Sequence, residues 1–343
     1  MGSSNQEPQK LFIETPCIPS PALSRVAGCN IFLKLENLQP SGSFKSRAVG
    51  NMMYKAMLAK PAGNVHFYCS SGGNAGLACA TAAKTLGQPC TIVVPTLTSQ
   101  YMIEKIRLLG AKVHQVGANW ALADEHLRTA LLANDPSGIY VPPFDHPDVW
   151  AGSSTIIDEL APQLEAHGVP RLDGIACNCG GGGLLNGIMA GVQKHYTQNG
   201  LEEPAVLAVE TAGAESLNAS IKAGELVTLP GITSIATSLG APRVSERTFR
   251  WSREAAHLRS VVVTDAEAVM GSIRFADDAL FLVEVACGAT LATLYNGDLR
   301  RAVGGEGISD EEWRGRNVVV VVCGGVNVTL DMLRDYGVKY GVK

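Results

Sequence analysis

Short apolar runs alternate with longer amphipathic stretches along most of the chain. This alternation is typical of β-α units, in which the strands form a largely parallel sheet that is covered by helices. In the first half of the chain, three apolar runs predict strands, and a predicted helix follows each of them. The predicted strands are residues 65–69, 90–94 and 112–116, and the helices that follow them are residues 75–86, 99–109 and 120–132.

A second group of apolar runs lies in the second half of the chain. These runs are continuous rather than alternating, which suits strands that are buried on both faces of a sheet. A proline-rich stretch at residues 140–147 separates the two groups and indicates a crossing between domains. The predicted strands of this second sheet are residues 174–177, 206–209, 260–263 and 318–322.

The chain has 343 residues, which exceeds what a single hydrophobic core usually organises, so we expect two domains. We predict a small domain over residues 40–148 and a large domain made of residues 1–39 and 149–343. The predicted fold class is α/β, with a mostly parallel sheet flanked by helices in each domain. Ligands of open α/β folds usually bind where the strands end, so we expect the site in the crevice between the domains.

Composition narrows the classes of function. Hydrophobic residues make up 46% of the chain and charged residues 17%, which argues against disorder and against a fibrous repeat. The net charge is only -4 and no basic stripe occurs, so nucleic acid is not an expected partner. No run of about 20 apolar residues predicts a membrane span. The nine cysteines lack the spacings of a zinc site, so we expect reduced thiols in a cytoplasmic protein.

One lysine, Lys45, follows the small, flexible turn Ser-Gly-Ser-Phe at positions 41–44. An amine that forms an imine with an aldehyde needs a tight backbone turn behind it and a site dry enough to lower its pKa. Most lysines are solvated surface charges, however. Lys45 alone therefore leaves both interpretations open.

Four consecutive glycines follow a predicted strand and open a predicted helix over residues 184–196. Such a loop leaves backbone N–H groups bare at the positive end of a helix dipole, where a phosphate is favoured. A close crossing of helix and strand would also need small residues, but four in a row are more than packing requires. The spacing fits neither the dinucleotide fingerprint Gly-x-Gly-x-x-Gly nor a P-loop.

Two further segments repeat the order of strand, glycine turn and helix. The turn Ser-Ser-Gly-Gly-Asn-Ala-Gly at positions 70–76 offers hydroxyl, amide and backbone donors to a carboxylate, although serine and asparagine are also favoured as ordinary helix N-caps. The segment Val-Cys-Gly-Gly-Val-Asn at positions 322–327 places Cys323 at the end of a strand. That cysteine either belongs to a site or is simply a buried thiol.

Together, these segments resemble the serine/threonine dehydratase family of pyridoxal-phosphate enzymes, which has the tryptophan-synthase-β fold, also called fold type II. Within that family the chain looks most like the L-serine dehydratases. The resemblance covers nearly the whole chain and follows the family's order. It is carried by Pro-Ser-Gly-Ser-Phe-Lys, Ser-Ser-Gly-Gly-Asn-Ala-Gly, Val-Pro-Pro-Phe-Asp-His-Pro, the four glycines, Glu-Val-Ala-Cys-Gly-Ala and the final Val-Cys-Gly-Gly.

The resemblance implies an L-serine/L-threonine ammonia-lyase that acts in amino-acid catabolism and gluconeogenesis, binds pyridoxal 5'-phosphate and forms a homodimer. Lys45 would carry the cofactor as an internal aldimine and later remove the α-proton of the substrate, while Phe44 would pack on the ring. The cofactor phosphate would assist the leaving hydroxyl. The implied cofactor-binding residues are Phe44, Lys45, Asn74, Gly180, Gly181, Gly182, Gly183 and Cys323, and the implied residues for the substrate carboxylate are Ser71, Gly72 and Asn74.

The resemblance also implies a monovalent-cation site, for which potassium is the family's usual ion. Glu210 follows a predicted strand and matches the family's glutamate at that site, although a solvated carboxylate at a strand end would look the same in the sequence. The implied ligands are Glu210 and the carbonyl groups of Gly180, Ala214, Leu239 and Ala241.

Two residues bear on the type of reaction. Cys323 would face the pyridine nitrogen, and a thiol does not keep that nitrogen protonated as a carboxylate does. The ring would then be a weak electron sink, which an elimination tolerates. Gly72 stands where serine racemases of this fold type carry a serine, so racemisation is disfavoured. Some dehydratases carry alanine there, so the glycine also allows for weak activity.

Other functions stay open at this point. They are β-replacement, as in cysteine synthases, and a pyridoxal-phosphate or amino-acid binding protein whose catalysis has decayed. The sequence does not decide between serine and threonine, because one methyl group is worth only about 1 to 3 kcal/mol of discrimination.

Overall fold

Two mostly parallel sheets, each flanked by helices, form the framework of the protein, which confirms the predicted α/β class. The computed structural model describes residues 10–60, 64–305 and 307–342. Residues 1–9, with which the predicted large domain begins, lie outside the described part. The strands are β1 (Cys17–Pro19), β2 (Asn30–Lys34), β3 (His66–Cys69), β4 (Cys90–Val94), β5 (Lys112–Gln115), β6 (Gly138–Tyr140), β7 (Gly174–Asn178), β8 (Ala205–Thr211), β9 (Leu258–Val263) and β10 (Asn317–Val321).

The helices mostly follow the strands, as expected for β-α units. Short 3-10 and π-helical segments connect some of them. The α-helices are α1 (Pro21–Ala27), α2 (Lys45–Leu58), α3 (Asn74–Leu86), α4 (Gln100–Leu108), α5 (Trp120–His126), α6 (Pro147–Ala166), α7 (Gly183–His195), α8 (Ser216–Ala223), α9 (Glu246–Glu254), α10 (Asp265–Ala279), α11 (Val285–Tyr295), α12 (Asp310–Arg314) and α13 (Leu330–Tyr340).

The strand order differs between the two sheets. The four-stranded sheet has the order β5-β4-β3-β6 and is parallel throughout. The six-stranded sheet has the order β1-β2-β10-β7-β8-β9, and only its edge strand β1 is antiparallel to its neighbour. Because the carboxyl ends of parallel strands meet at one edge of a sheet, the turns after β3 and β4 share one edge. The turns after β7, β8 and β10 share the corresponding edge of the larger sheet.

The chain divides into two compact units. Unit 1 comprises the described residues up to Glu14, then Gln39–Ser41 and Lys45–Gly152, and it contains the four-stranded sheet. Unit 2 comprises Thr15–Leu38, Gly42–Phe44 and the chain from Ser153 onward, and it contains the six-stranded sheet. The domain boundaries at residues 39/40 and 148/149 stay a prediction.

Continuous apolar runs become the central strands of unit 2. The valines of β10 from Val318 to Val321 are fully buried, because the strand lies between β2 and β7 with its faces covered. Helices α10 and α11 approach each other so closely that a β-carbon on Gly271 would lie 2.2 Å from the carbonyl oxygen of Gly288. Glycine at this crossing therefore allows the two helices to pack without side chains between their backbones.

Local differences from the expected elements are few. The hydrophobic pattern does not predict β1, β2 or β6. Strands β1 and β6 have only three residues each, and β2 begins with Asn30 and ends with Lys34. The helix expected over residues 120–132 ends as an α-helix at His126 and continues as a π-helical segment, Leu127–Leu131. The nine cysteines all lie in the described ranges, and each is a buried free thiol. Among the described helices, none has the length and apolarity that crossing a bilayer requires.

Candidate active site

The four-glycine loop of unit 2 connects the end of β7 to the start of α7. Gly182 has a left-handed backbone, with φ +96°. A β-carbon on this residue would lie 1.8 Å from Oγ1 of Thr248, so a side chain does not fit there. Packing therefore requires glycine at position 182.

The backbone of this loop presents unused donors. Within the described ranges, the N–H groups of residues 180–185 donate to no protein acceptor, and the first intrahelical bond of α7 runs from Asn186 N to Gly182 O. Residues 181–185 are buried. Buried N–H groups without partners are costly unless a ligand accepts from them. At the positive end of a helix dipole, the group that fits them is an anion such as a phosphate.

Three buried polar side chains hold the loop in this conformation. The amide of Asn186 donates to Ser245 Oγ over 3.0 Å, and its carbonyl oxygen accepts from Thr248 Oγ1 over 3.0 Å. The backbone N–H of Ser245 donates to Gly181 O over 3.1 Å. Sequence reasoning missed Ser245 and Thr248, because they lie some 60 residues beyond the loop and only the fold brings them to it.

The segment before Lys45 lies against the turn after β10. Phe44 N donates to Cys323 O over 3.1 Å, and Gly325 N donates to Gly42 O over 2.9 Å. Phe44 is half-buried and packs on the core of unit 2. Ser43 is 1% exposed, and its hydroxyl has no partner in the described part of the chain. The structure thus brings Phe44, Cys323 and an uncommitted buried hydroxyl together.

The Cys323 thiol contacts the neutral Asn178 amide and Cys287 thiol, and the Glu284 carboxylate lies near enough to act on it electrostatically. Asn178, the last residue of β7, donates through Nδ2 to Cys323 Sγ over 2.9 Å and to Ala286 O over 3.0 Å. Contact with the Cys287 thiol, together with burial, raises the pKa of Cys323 well above its usual value. The sulfur is therefore uncharged at neutral pH. Asn178 was not predicted, although a polar residue at the end of a buried strand, two positions before a glycine run, is a signal that points to it.

A buried carboxylate fixes the far side of the same turn. Glu284 Oε1 accepts from Asn327 N over 2.7 Å, and Oε2 accepts from Ser238 Oγ over 2.5 Å. Gly325 has φ +113°, and a β-carbon there would lie 2.3 Å from the Glu284 carboxyl carbon. The glycine pair after Cys323 is therefore required by the turn as well as by any ligand.

Lys45 is the first residue of α2, in unit 1, and is half-buried. Its Nζ donates to the carbonyl oxygen of Pro143 over 2.5 Å. Pro143 belongs to the proline-rich stretch that carries part of the family resemblance. The amine is thus held at a defined place at the start of its helix.

The Ser-Ser-Gly-Gly-Asn turn follows β3 at the carboxyl edge of the small sheet. The N-cap of α3 is Gly73, which makes no side-chain capping bond, and Asn74 is the first helical residue. Ser71 and Asn74 therefore do not act as ordinary N-caps of this helix. A β-carbon on Gly76 would lie 1.8 Å from Ser71 O, so the turn needs glycine at that position.

A polar network lies behind this turn. Asp124 Oδ1 accepts from Ser70 Oγ over 2.5 Å and from the Tyr140 hydroxyl over 2.7 Å, and Arg128 Nε donates to Asp124 Oδ2 over 2.7 Å. Burial would raise the pKa of Asp124, but these three hydrogen bonds outweigh it and lower the pKa. Ser70 is thus committed to Asp124, while Ser71 remains at the surface of the turn. Sequence reasoning missed Asp124, because nothing in the chain links it to position 70.

The proposed cation ligand Glu210 is the penultimate residue of β8 and is fully buried, so the solvated alternative is wrong. Its two oxygens accept from Leu217 N and Asn218 N, each over 2.8 Å, in the first turn of α8. Burial raises the pKa of Glu210 to about 8, although these N–H groups act in the opposite direction. A buried carboxylate of this kind gains from a nearby cation.

Some of the residues that are predicted to supply carbonyl ligands lie close together. A β-carbon on Gly180 would lie 3.3 Å from Leu239 O, so these two residues are neighbours. Leu239 O also accepts from Ala241 N over 2.7 Å, and Ala214 N donates to Thr211 O over 2.9 Å just beyond β8. No group of three or more His, Cys, Asp or Glu side chains suitable for a metal occurs in the described part. A cation here would rely on carbonyl oxygens and one carboxylate.

Comparison with known proteins agrees with these features. Residues 9–324 match the family model described as pyridoxal-phosphate dependent enzyme. An L-serine dehydratase/L-threonine deaminase of Mus musculus is 41% identical over 342 residues, which cover 97% of each chain. A serine dehydratase-like protein of Homo sapiens is 43% identical over 325 residues, which cover 95% of this chain and 93% of the human one.

A solved structure is similar over the same extent. The fungal L-serine ammonia-lyase from Rhizomucor miehei superimposes with a TM-score of 0.86 at 37% identity, covering 97% of this chain and 100% of the fungal chain. The family model and these relatives together span nearly all of the described residues. The chain therefore belongs to the pyridoxal-phosphate-dependent enzymes and, within them, to the serine/threonine dehydratase family that its motifs predict.

Proposed function

We propose that the chain converts L-serine to pyruvate and ammonia, and L-threonine to 2-oxobutyrate and ammonia, with pyridoxal 5'-phosphate as cofactor. The observation that carries this choice is the uncharged Cys323 thiol at the end of β10, where the family's ring nitrogen is expected. Without a carboxylate partner for that nitrogen, a reaction in which a β-leaving group takes up the electrons is favoured over transamination. The mouse relative is named for both of these substrates.

The glycine loop fits the cofactor phosphate. Its unused N–H groups at the start of α7 supply donors, and the clamp of Asn186, Ser245 and Thr248 holds them in place. The phosphate would gain from both the donors and the helix dipole. In this proposal Gly180, Gly181, Gly182 and Gly183 bind the phosphate, Phe44 packs on the ring, Cys323 faces its nitrogen and Asn74 bonds its hydroxyl oxygen.

Bound pyridoxal phosphate supplies an aldehyde that bonds covalently to amines and a ring that withdraws electrons from the α-carbon of an amino acid. Lys45 Nζ is the proposed attachment point. When it is not bonded to the cofactor, the same Nζ would accept the proton from the α-carbon of the substrate. Pro143 O, which accepts a hydrogen bond from Nζ, would orient the amine.

We propose that the turn of Ser71, Gly72 and Asn74 binds the substrate carboxylate. The backbone N–H groups of Ala75 and Gly76 at the start of α3 have no acceptor in the described part of the chain, which leaves the positive end of this helix available to an anion. Ser70 stabilises the turn from behind through Asp124.

The proposal includes a potassium ion bound by Glu210 and by the carbonyl groups of Gly180, Ala214, Leu239 and Ala241. The burial of Glu210 and the contact between Gly180 and Leu239 support it. A homodimer, a cytoplasmic location and a role in amino-acid catabolism that feeds gluconeogenesis complete the proposal and rest on the family resemblance.

The test is a keto-acid assay on L-serine, D-serine and L-threonine, with and without potassium. We expect release of pyruvate and 2-oxobutyrate from the L-amino acids, with faster turnover when potassium is present. Conversion of D-serine to L-serine faster than pyruvate release would show a racemase instead. Cysteine formation from O-acetylserine and sulfide, without keto acid from serine, would show β-replacement. Cofactor binding without any product would show a decayed enzyme.

The Lys45→Ala variant tests the covalent attachment. We expect complete loss of keto-acid production, and we expect borohydride treatment of the wild type to leave a pyridoxyl group on Lys45, located by mass spectrometry. Lys55→Ala is the matched control, because Lys55 lies on the same helix and forms only an exposed pair with Asp148. Activity in Lys45→Ala equal to that of Lys55→Ala would refute the assignment.

A further inference from the structure

The space over Gly72 is already filled by another residue. A β-carbon on Gly72 would lie 2.6 Å from Cγ2 of Thr98, 2.9 Å from its Oγ1 and 3.3 Å from Cγ1 of Val94. Gly72 does not have a left-handed backbone, so its conformation alone does not demand glycine. Instead, the Thr98 side chain occupies the space that a β-carbon on Gly72 would need.

Thr98 reaches this position from the loop after β4. Strand β4 pairs in parallel with β3, so the loop after β4 and the Ser-Ser-Gly-Gly-Asn turn after β3 lie at the same edge of the sheet. Both belong to unit 1. A residue from the adjacent loop thus meets the turn directly at the position where this chain lacks a side chain.

The loop holds Thr98 in place at three points. Thr96 N and Thr96 Oγ1 both donate to Gly117 O, over 2.9 Å and 3.1 Å. Thr98 N donates to Pro95 O over 3.0 Å, and Ser99 Oγ caps α4 by accepting from Met102 N. These bonds hold the backbone of Thr98 next to Gly72.

The fold uses the hydroxyl groups on either side of Thr98 but not that of Thr98 itself. Thr96 and Ser99 each make a hydrogen bond within the loop or its helix. In the ranges that the structure describes, no hydrogen bond involves Thr98 Oγ1. The side chain is half-buried, and its hydroxyl is not among the buried polar atoms, so it remains accessible to a ligand that enters from solvent.

We propose that Thr98 is a substrate-positioning residue whose hydroxyl donates a hydrogen bond to the carboxylate of the amino-acid substrate. It supplies, from a second loop, the polar group that Gly72 does not carry. This inference rests on the proposed role of the Ser71, Gly72 and Asn74 turn in carboxylate binding. A neutral hydroxyl that meets a carboxylate makes a charge-assisted hydrogen bond, which is stronger than a bond between neutral groups.

The test compares Thr98→Val, which keeps the shape but removes the hydroxyl, with Thr98→Ser, which keeps the hydroxyl. In the holoenzyme we expect Thr98→Val to raise the KM for L-serine about tenfold, as expected for one hydrogen bond to a charged group. We expect kcat to change much less, because the bond is present before and during the reaction. Thr98→Ser should stay close to the wild type.

A binding measurement separates this inference from the proposed reaction. L-Alanine has a carboxylate but no β-leaving group, and its binding is followed through the absorbance of the bound cofactor. We expect the same rise of about tenfold in its dissociation constant in Thr98→Val. If the wild type gives no keto acid from any substrate, the proposed reaction fails, while the L-alanine titration still tests Thr98.

Thr85→Val is the matched control, because it removes an exposed threonine hydroxyl that donates to Thr81 O within α3 and takes no part in holding Thr98. We expect it to leave KM and the L-alanine constant unchanged. Thr98→Ala, which adds no bulk, serves as a second variant if valine disturbs folding. Wild-type constants in Thr98→Val and Thr98→Ala would overturn the proposal. It would equally be overturned if Thr98→Ser bound as weakly as Thr98→Val, or if Thr85→Val had the same effect.

Discussion

The two glycine turns of this protein have the same local form and different surroundings. The loop after β7 in unit 2 is buried and clamped by Asn186, Ser245 and Thr248. The turn after β3 in unit 1 is half-buried from Ser71 to Asn74, with a fixed polar network only behind it. An enclosed loop with unused donors suits a group that stays bound, and a turn that is open on one side suits a ligand that must enter and leave. The surroundings of each turn therefore indicate whether its ligand stays bound or exchanges, although the turn motif itself does not.

The largest effect is expected from a substitution that adds a side chain to the buried glycine loop after β7. Gly182→Ala places a β-carbon 1.8 Å from Thr248 Oγ1 and forces an alanine into φ +96°. Overpacking and left-handed strain together should cost roughly 3 kcal/mol and displace the N–H donors. We expect loss of cofactor binding, measured by absorbance titration with pyridoxal phosphate, and a lower midpoint of thermal unfolding.

The control for this prediction is Gly168→Ala. Gly168 has φ +69°, and no atom lies within 4 Å of the place that a β-carbon would take, so alanine there meets backbone strain alone. We expect a loss of only about 1 kcal/mol, with cofactor affinity unchanged. Equal losses of affinity in the two variants would mean that the clamp at Thr248 does not set the conformation of the loop.

An intermediate loss of stability is expected when the polar network of Asp124 behind the turn after β3 is disrupted. Asp124→Asn keeps the shape but replaces one accepting oxygen by a donor, so the bonds from Ser70, Tyr140 and Arg128 are no longer all made. The expected loss in the free energy of unfolding is about 2 kcal/mol at neutral pH, measured by urea unfolding. Asp158→Asn is the control, because that carboxylate pairs with Lys194 and His195 at a more exposed site and should contribute less than about 1 kcal/mol.

The free energy of unfolding of the wild type and of Asp124→Asn should also depend differently on pH. The pKa of Asp124 is lowered in the folded state, so its ionised form contributes stability above the unfolded pKa of about 4, and this contribution disappears as the pH falls through the folded pKa. The stability difference between wild type and Asp124→Asn should therefore shrink on acidification below about pH 4. A difference that grew in acid would contradict the assigned role of the carboxylate.

The comparison of the two turns also shows what the sequence alone predicts. Continuous valines predict β10, and four glycines in a row predict a turn between strand and helix, because both signals are local. Strand β2 is not predicted, because its Lys34 looks like a solvated residue. In the structure Lys34 is fully buried and donates to Glu159 Oε2, Gln163 Oε1 and the carbonyl oxygen of Thr15. These three partners of Lys34 are distant from it in the chain, so the local sequence does not reveal them.

The same limit applies to the candidate site. Lys45, Asn74 and Cys323 lie in recognisable motifs, whereas Thr98 and Thr248 are ordinary threonines until the fold places each of them over a glycine. In both cases the glycine is visible in the sequence and the side chain that requires it is not. The reason is physical, since Thr98 lies in the loop after β4 and Thr248 lies in α9, and only the tertiary fold brings each of them to its glycine.

The smallest effect is expected near Cys323, where the proposal places the ring nitrogen of the cofactor. Asn178→Ala removes the donor to Cys323 Sγ and leaves Ala286 O without that donor. The expected loss in the free energy of unfolding is about 1 kcal/mol, with a modest loss of cofactor affinity, since the glycine loop is untouched.

Asn134→Ala is the matched control, because the Asn134 amide also donates to a backbone carbonyl, that of Ala130, but at an exposed position. We expect no change of cofactor affinity in that control. If Asn178→Ala bound pyridoxal phosphate as the wild type does and unfolded like Asn134→Ala, then the thiol would be positioned by Cys287 and the backbone alone. The enclosed site would then depend on its phosphate loop and not on the amide at the end of β7.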